Sequence, residues 1–147
     1  MRFAWLTMLV LVAPWSMAIA QNAPPMIQLR VGSHPIEAEL AATPATRDKG
    51  LMNRTVLPDK RGMLFVFPDE RPYCMWMHNT TIPLSVAFID SRGAITKIAE
   101  MHPGSDDYYC SDKPVRYALE MNQGWFLKKG VTPGARIRNI DKAPPGR

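Results

Sequence analysis

Prolines break the chain into short apolar pieces whose patterning suits strands better than helices. Pro44, Pro58, Pro68, Pro72, Pro83, Pro103, Pro114 and Pro133 stand between runs rich in Val, Ile, Phe, Tyr and Met, residue types that fit a pleated, half-buried surface. Residues 26–31 and 36–40 predict an opening pair of strands joined through Gly32 and Ser33. Every position from Met63 to Phe67 is apolar, which predicts a strand buried on both faces. Further strands are expected over 73–78, 84–89 and 94–100, with Asp90-Ser91-Arg92-Gly93 as a tight turn between the last two. Val115, Tyr117, Leu119 and Met121 alternate with Arg116, Ala118 and Glu120, so a half-buried strand with one charged face is expected there. A last strand is expected over 135–140.

Two segments have helix signals instead. Thr43 is a good N-cap with Pro44 at the first helical position, and the turns that follow reach Leu51 and Met52. Asn122 can cap a short helix carrying Trp125, Phe126 and Leu127, which Gly130 closes. The sum is a mainly β domain, a compact sandwich or flattened barrel with about two short helices. After Asp141, residues 142–147 carry Pro144, Pro145 and Gly146 and are expected to form a disordered tail.

The first twenty residues change the picture. Arg2, the apolar run Phe3–Val12 and the small-residue stretch ending in Ala18-Ile19-Ala20 describe a secretory signal peptide cleaved before Gln21, the alternative being a retained membrane anchor, for which the run is short. Residues 21–141 then form a single globular domain of ordinary size, in the periplasm or secreted. No later run approaches the roughly 20 apolar residues of a membrane span. Without Arg2 the 18 basic residues fall to 17 against 13 acidic ones, a net charge of +4 with no polybasic block. That charge gives no nucleic-acid footprint. In an oxidising compartment the only two cysteines, Cys74 and Cys110, are expected to persist as a disulfide.

Four ordered motifs carry a resemblance. Lys49-Gly50-Leu51-Met52-Asn53-Arg54, Arg61-Gly62-Met63-Leu64-Phe65-Val66-Phe67, Met75-Trp76-Met77-His78-Asn79-Thr80 with Ile82-Pro83-Leu84, and Leu119-Glu120 before Gly124 resemble those of the domain of unknown function 192 family. The likeness runs from about Leu40 to Ile140. It implies a compact, mostly β fold and no established activity. Where the family pattern has a lysine and an aspartate, this chain has His78 and Ser85. One explanation is that the family's two residues form a cross-strand pair, so that both are lost together.

The chemically densest stretch is Cys74-Met75-Trp76-Met77-His78. Alternation places Cys74, Trp76 and His78 on one face and Met75 and Met77 on the other. Thioethers beside an imidazole in an exported protein suggest copper(I) handling through Met75, Met77 and His78, although methionines in an apolar strand ordinarily fill core. Trp76 with the polar groups of His78, Asn79 and Thr80 forms a candidate patch for a small polar ligand; Asn79 and Thr80 also commonly satisfy only their own turn. Glu120 is an ordinary solvated carboxylate if it faces out. If it points inward it needs a partner, and Arg54 or Arg116 are the candidates.

His34 and His102 adjoin prolines in expected surface turns, and Asp106, Asp107 and Asp112 form an acidic loop without the ligand ladder of a calcium site. No nucleophile elbow, H-E-x-x-H, phosphate-binding glycine loop or C-x-x-C is present. The leading expectation is therefore a module of the cell envelope that binds a small polar ligand or an envelope component through Trp76, His78, Asn79, Thr80, Arg54 and Glu120, without a cofactor. An enzyme acting on envelope material, with His78 and Glu120 as its acid-base groups, is the alternative within the same patch.

Overall fold

A computed structural model describes residues 23–147, so the signal-peptide segment lies outside the described residues. Nine strands and two short helices follow in the order β1 (Met26–Val31), β2 (His34–Ala41), α1 (Pro44–Lys49), β3 (Arg61–Arg71), β4 (Cys74–Met75), β5 (Leu84–Ile89), β6 (Ile95–Met101), β7 (Tyr109–Cys110), β8 (Val115–Asn122), α2 (Trp125–Lys128) and β9 (Ile137–Arg138). Seven of the strands make one curled sheet ordered β6-β5-β8-β3-β2-β1-β9, and β4 pairs with β7 in a separate ribbon. All pairings are antiparallel except β2–β3. That parallel pair needs a crossover, and the connection through α1 supplies it.

The sheet curls far enough that its two edges touch at one end. Ala94, just before β6, bridges Arg136, just before β9. Backbone bonds from Ile95 to Ala135 (2.9 Å) and from Ile137 to Gly93 (2.8 Å) complete the contact. The turn that aims β6 at this closure is the expected one: the Asp90 carboxylate accepts from the Arg92 and Ala94 amides, and Gly93 takes φ 83°. The flattened-barrel reading thus corresponds to a half-barrel closed at one corner.

Both faces of the sheet are covered. Leu64 and Val66 of β3 join Leu29, Ile36, Leu119, Met121, Trp125 and Phe126 in one apolar cluster. Met63, Phe65 and Phe67 face the other way, with Leu84, Val86, Phe88, Met75 and Met77. That division explains the unbroken apolar run in β3: alternate side chains enter two different cores. The second core is roofed by α1 and the segments around it, and by residues 72–83.

Local signals placed the helices. Thr43 caps α1 through reciprocal bonds with Thr46, and Arg47 fastens the helix to β3 by donating to the Val66 carbonyl at 3.0 Å. The helix ends at Lys49, short of Leu51 and Met52, because Gly50 takes φ 47° and leaves the helical path. Helix α2 follows Gly124 rather than an Asn122 cap; Asn122 ends β8 and spends its side-chain amide on the Leu57 carbonyl.

Several expectations need correction. The strand expected over 73–78 stops at Met75, although burial keeps alternating to His78. The last strand shrinks to Ile137–Arg138, followed by a 3-10 turn at Ile140–Lys142. His34 opens β2 and sets its ring edge-on to Trp125 instead of lying in a surface turn. In residues 142–147, the Arg147 amide donates to the Ala42 carbonyl at 2.8 Å, and Gly146 lies so close to Phe67 that a side chain there would collide with its backbone. The largest correction concerns β8. Ala118, Leu119, Glu120 and Met121 are all buried, so Glu120 is no solvated carboxylate.

Candidate functional site

Glu120 sits in a row of residues running straight across the sheet. Glu39 of β2 is opposite Met63 of β3, Met63 is opposite Glu120 of β8, and Glu120 is opposite Val86 of β5. The row faces the second core. It therefore holds two carboxyl groups on one face, two strand spacings apart, or roughly 9–10 Å. Gly62 lets β3 lie tightly against this part of β8, since a Cβ there would come within 2.4 Å of the Glu120 carbonyl oxygen.

The two carboxyls are treated differently. Glu39, 4% exposed, is met by both terminal guanidinium nitrogens of Arg54, at 2.9 and 2.5 Å. This fork also raises the Arg54 pKa, chiefly through its bond to Glu39. Glu120, 3% exposed, has no hydrogen-bonding or ionic partner for its side chain among the described residues. Arg54 is engaged two strands away. Arg116 belongs to the same strand and makes no bond to Glu120. Burial alone pushes the Glu120 carboxyl up to about 8, because a low-polarity setting disfavours its charged form. At neutral pH it is mostly a protonated acid, able to donate one hydrogen bond and accept others.

That carboxyl is not sealed in. It lines a recess of ≈ 30 Å³ together with Leu51, Met52, Phe65, Met75, Trp76 and Thr80. Beside the recess lies an outer cleft of ≈ 280 Å³, walled by Phe65, Phe67, Tyr73, Met75 and Trp76, with Arg47, Asp48 and Arg71 also contributing. Arg47, Asp48, Phe65, Met75 and Trp76 line both. The rings are held by one another: Phe67 and Tyr73 stack at 3.7 Å, and the Arg71 guanidinium lies 4.9 Å above Tyr73. The Thr80 hydroxyl donates to the His78 carbonyl at 3.1 Å, which leaves it only lone pairs to offer elsewhere.

Of the six residues expected to bind ligand, the fold brings Trp76, Thr80 and Glu120 together and leaves three outside. Trp76 is 43% exposed and is flanked by His78 on one side, at 4.8 Å, and Tyr108 on the other, at 6.0 Å. His78 lines neither the recess nor the cleft and approaches Asp106 at 3.6 Å. Asn79 takes a left-handed φ of 52° and passes its carbonyl to the Asn53 amide, the turn duty weighed against its ligand role. Arg54 belongs to Glu39. Sequence reasoning missed Arg47, Asp48, Phe65 and Tyr73, because only the crossover through α1 and the ribbon β4–β7 bring them to Trp76. The G-L-M motif after α1 was the one available signal, since Leu51 and Met52 form part of the recess.

Cys74 and Cys110 are joined and directly opposite one another in β4 and β7. The crosslink pins the segment carrying Trp76 to the loop carrying Tyr108. Met77 is fully buried and Met75 nearly so, while His78 points to solvent; these three groups do not converge as copper ligands would. No group of three or more His, Cys, Asp or Glu side chains among the described residues is placed to hold a metal ion. The suggested pairing across positions 78 and 85 also fails geometrically. Ser85 shares its face of β5 with Ala87 and Ile89 of the first core, donates to Glu100 at 2.6 Å and accepts from the Gly124 amide at 2.8 Å, whereas His78 lies over the second core.

The fold is that of a known class. The chain belongs to the domain of unknown function 192 family, described as an uncharacterized ACR, whose family model matches residues 27–139. Among solved structures it is similar to a Sinorhizobium meliloti protein described as a candidate transcription regulator, at 38% identity and a TM-score of 0.77, covering 79% of this chain and 95% of that one. It is also similar to a Novosphingobium aromaticivorans protein of unknown function, at 31% identity and a TM-score of 0.75, covering 81% and 89%. A comparison with curated proteins gave no match. No helix among the described residues is long and apolar enough to cross a membrane.

Proposed function

We propose that this protein is an exported envelope module that binds a small ligand in the aromatic cleft, with the ligand's polar end directed at Glu120. One observation carries the reading: a largely buried carboxyl, 3% exposed and without a bonded partner among the described residues, lines a recess beside a ring-walled cleft. An unpartnered buried polar group costs stability, and a fold that retains one at a cavity gains if a ligand satisfies it. Trp76, Thr80 and Glu120 form the proposed site, with Phe65 and Met75 as its walls. The acid-base reading draws less support, because His78 lines neither cavity. Export rests on the leader-like start of the sequence, and the disulfide is compatible with it.

Crystals soaked in small fragments, together with NMR shift mapping in solution, test the reading. The expected result is occupancy between Phe65 and Trp76, with shifts concentrated at Met75, Trp76, Thr80 and Glu120 and weakened by Trp76→Ala. Fragments that settle only elsewhere, or binding unaffected by Trp76→Ala, would contradict it. Cell fractionation should find a mature chain beginning at Gln21 outside the cytoplasm.

A further inference from the structure

We infer that the Glu120 recess receives the head of an organic cation, a primary alkylammonium group; the inference rests on the cleft being a ligand site. The donors and acceptors around the recess point one way. Thr80 has spent its hydroxyl proton on the His78 carbonyl and retains lone pairs. Glu120 offers carboxyl oxygens and at most one proton. The remaining walls are the aromatic Phe65 and Trp76 and the thioethers of Met52 and Met75, polarisable surfaces that attract an organic cation. At ≈ 30 Å³ the recess has room for one small polar head, about a water's share of liquid volume. The outer cleft continues from it with space for an alkyl chain.

The charged groups nearby leave the position open. Opposite Glu120 on the flanking strands stand Met63 and Val86, neither ionisable. The segment between Gly50 and Met52 brings only apolar groups to the recess, and residues 75–80 bring Met75, Trp76 and Thr80. Helix α1 contributes Arg47 and Asp48. Arg47 is committed to the carbonyls of Val66 and Arg147, at 3.0 and 2.6 Å. Those bonds leave Arg47 its charge; Arg71 adds a second cation to the outer cleft, and Asp48 supplies one carboxylate at the entrance. Neither Arg47 nor Arg71 is bonded to Glu120, so an incoming ammonium would be its first ionic partner.

Binding then has a proton balance. A ligand R–NH3+ enters with its three protons, the Glu120 carboxyl gives its single proton to solvent, and the resulting carboxylate pairs with the ammonium. One proton leaves per ligand bound wherever the free site is protonated, which is below about pH 8.

Calorimetric titration of the native chain with cadaverine, N-acetyl-lysine amide and n-hexanol, at pH 6, 7 and 8 in two buffers of different ionisation enthalpy, tests this. An amine should bind with release of about one proton, and its affinity should rise about tenfold per pH unit between pH 6 and 7. Glu120→Gln should weaken it by more than about thirtyfold and abolish the proton release, while circular dichroism shows the fold retained. Binding of cadaverine alone assigns a free amine, and binding of the lysine amide assigns a lysyl side chain; either supports the inference. Hexanol binding as tightly as the amines without proton release overturns the cation and leaves the ligand site standing. Amines that fail where the fragment soaks find occupants also overturn it. If the soaks fail too, the ligand site falls with it.

Discussion

Glu39 and Glu120 face the same core from the same row of the sheet, yet one is neutralised and the other is not. At the β2 end of the row the chain supplies Arg54, which grips Glu39 with both terminal guanidinium nitrogens. On β8, apolar side chains, rings and thioethers among them, make up most of the recess around Glu120, and the recess's one cation, Arg47, is bonded to backbone carbonyls instead. The difference shows that the fold can pair a carboxylate buried in this layer when structure is all that is required. Leaving Glu120 unpaired beside the cleft costs stability, and that cost varies with pH.

The largest expected effect comes from removing the crosslink that pins the roof over Glu120. Replacing both Cys74 and Cys110 by Ser opens a loop with a sequence separation of 36 and should cost about 3–4 kcal/mol in denaturant unfolding on the chain-entropy account. Fluorescence of Trp76 should report a looser stack in the same variant.

Next is the pH dependence of the unpaired carboxyl. Its pKa rises from 4.5 to about 8 on folding, so the buried acid's contribution is fully present below about pH 4.5 and is lost as pH rises through about 8. The loss amounts to about 1.4 kcal/mol per pH unit between those limits. Glu120→Gln cannot ionise and should therefore be more stable than wild type at pH 7 by about 2–4 kcal/mol, with the difference shrinking towards pH 4.5. Urea melts at pH 4.5, 6 and 7 give the slope. A variant less stable at pH 7 would mean that Glu120 has a partner.

Arg54→Ala probes the other half of the contrast. Stranding Glu39 should cost about 2–3 kcal/mol, less than the roughly 3–5 kcal/mol of a fully buried pair, because Arg54 is partly exposed. Its effect should vanish in a Glu39→Gln background. The smallest effect is expected at the positions that depart from the family pattern: His78→Lys and Ser85→Asp lie over opposite faces, and their coupling in a double-mutant cycle should stay within about 0.5 kcal/mol. A larger favourable coupling would restore the pairing suggested by the sequence.

The sequence made the strands legible where period and turn chemistry agreed. Met26–Val31 and Leu84–Ile89 emerge with the expected bounds, and the Thr43 cap and the Asp90–Gly93 turn formed as their side chains dictate. It was misleading where burial came from elements distant in sequence. Arg116, Ala118 and Glu120 resemble a solvent face by alternation, but the roof over that side of β8 is built from α1 and residues 72–83. Nothing local to β8 announces it. For the same reason Arg54 looked available to Glu120: only the parallel pairing of β2 with β3 shows that Glu39 lies in the same row and takes it. Within the candidate site, the W-M-H-N-T stretch drew attention to Trp76 and Thr80, which line the recess, whereas His78 turned outward by the alternation that buried Met77 and Asn79 by the left-handed turn that ends it.

The central claim is that Glu120 is a neutral, partnerless acid at neutral pH. Carbon-13 NMR of the glutamate side-chain carboxyls, titrated in the native chain and assigned through Glu120→Gln, measures this directly. The account predicts one carboxyl with a midpoint near 8, absent from the variant, that shifts downward when an alkylammonium occupies the cleft. A Glu120 midpoint in the ordinary range around 4.5 would contradict it.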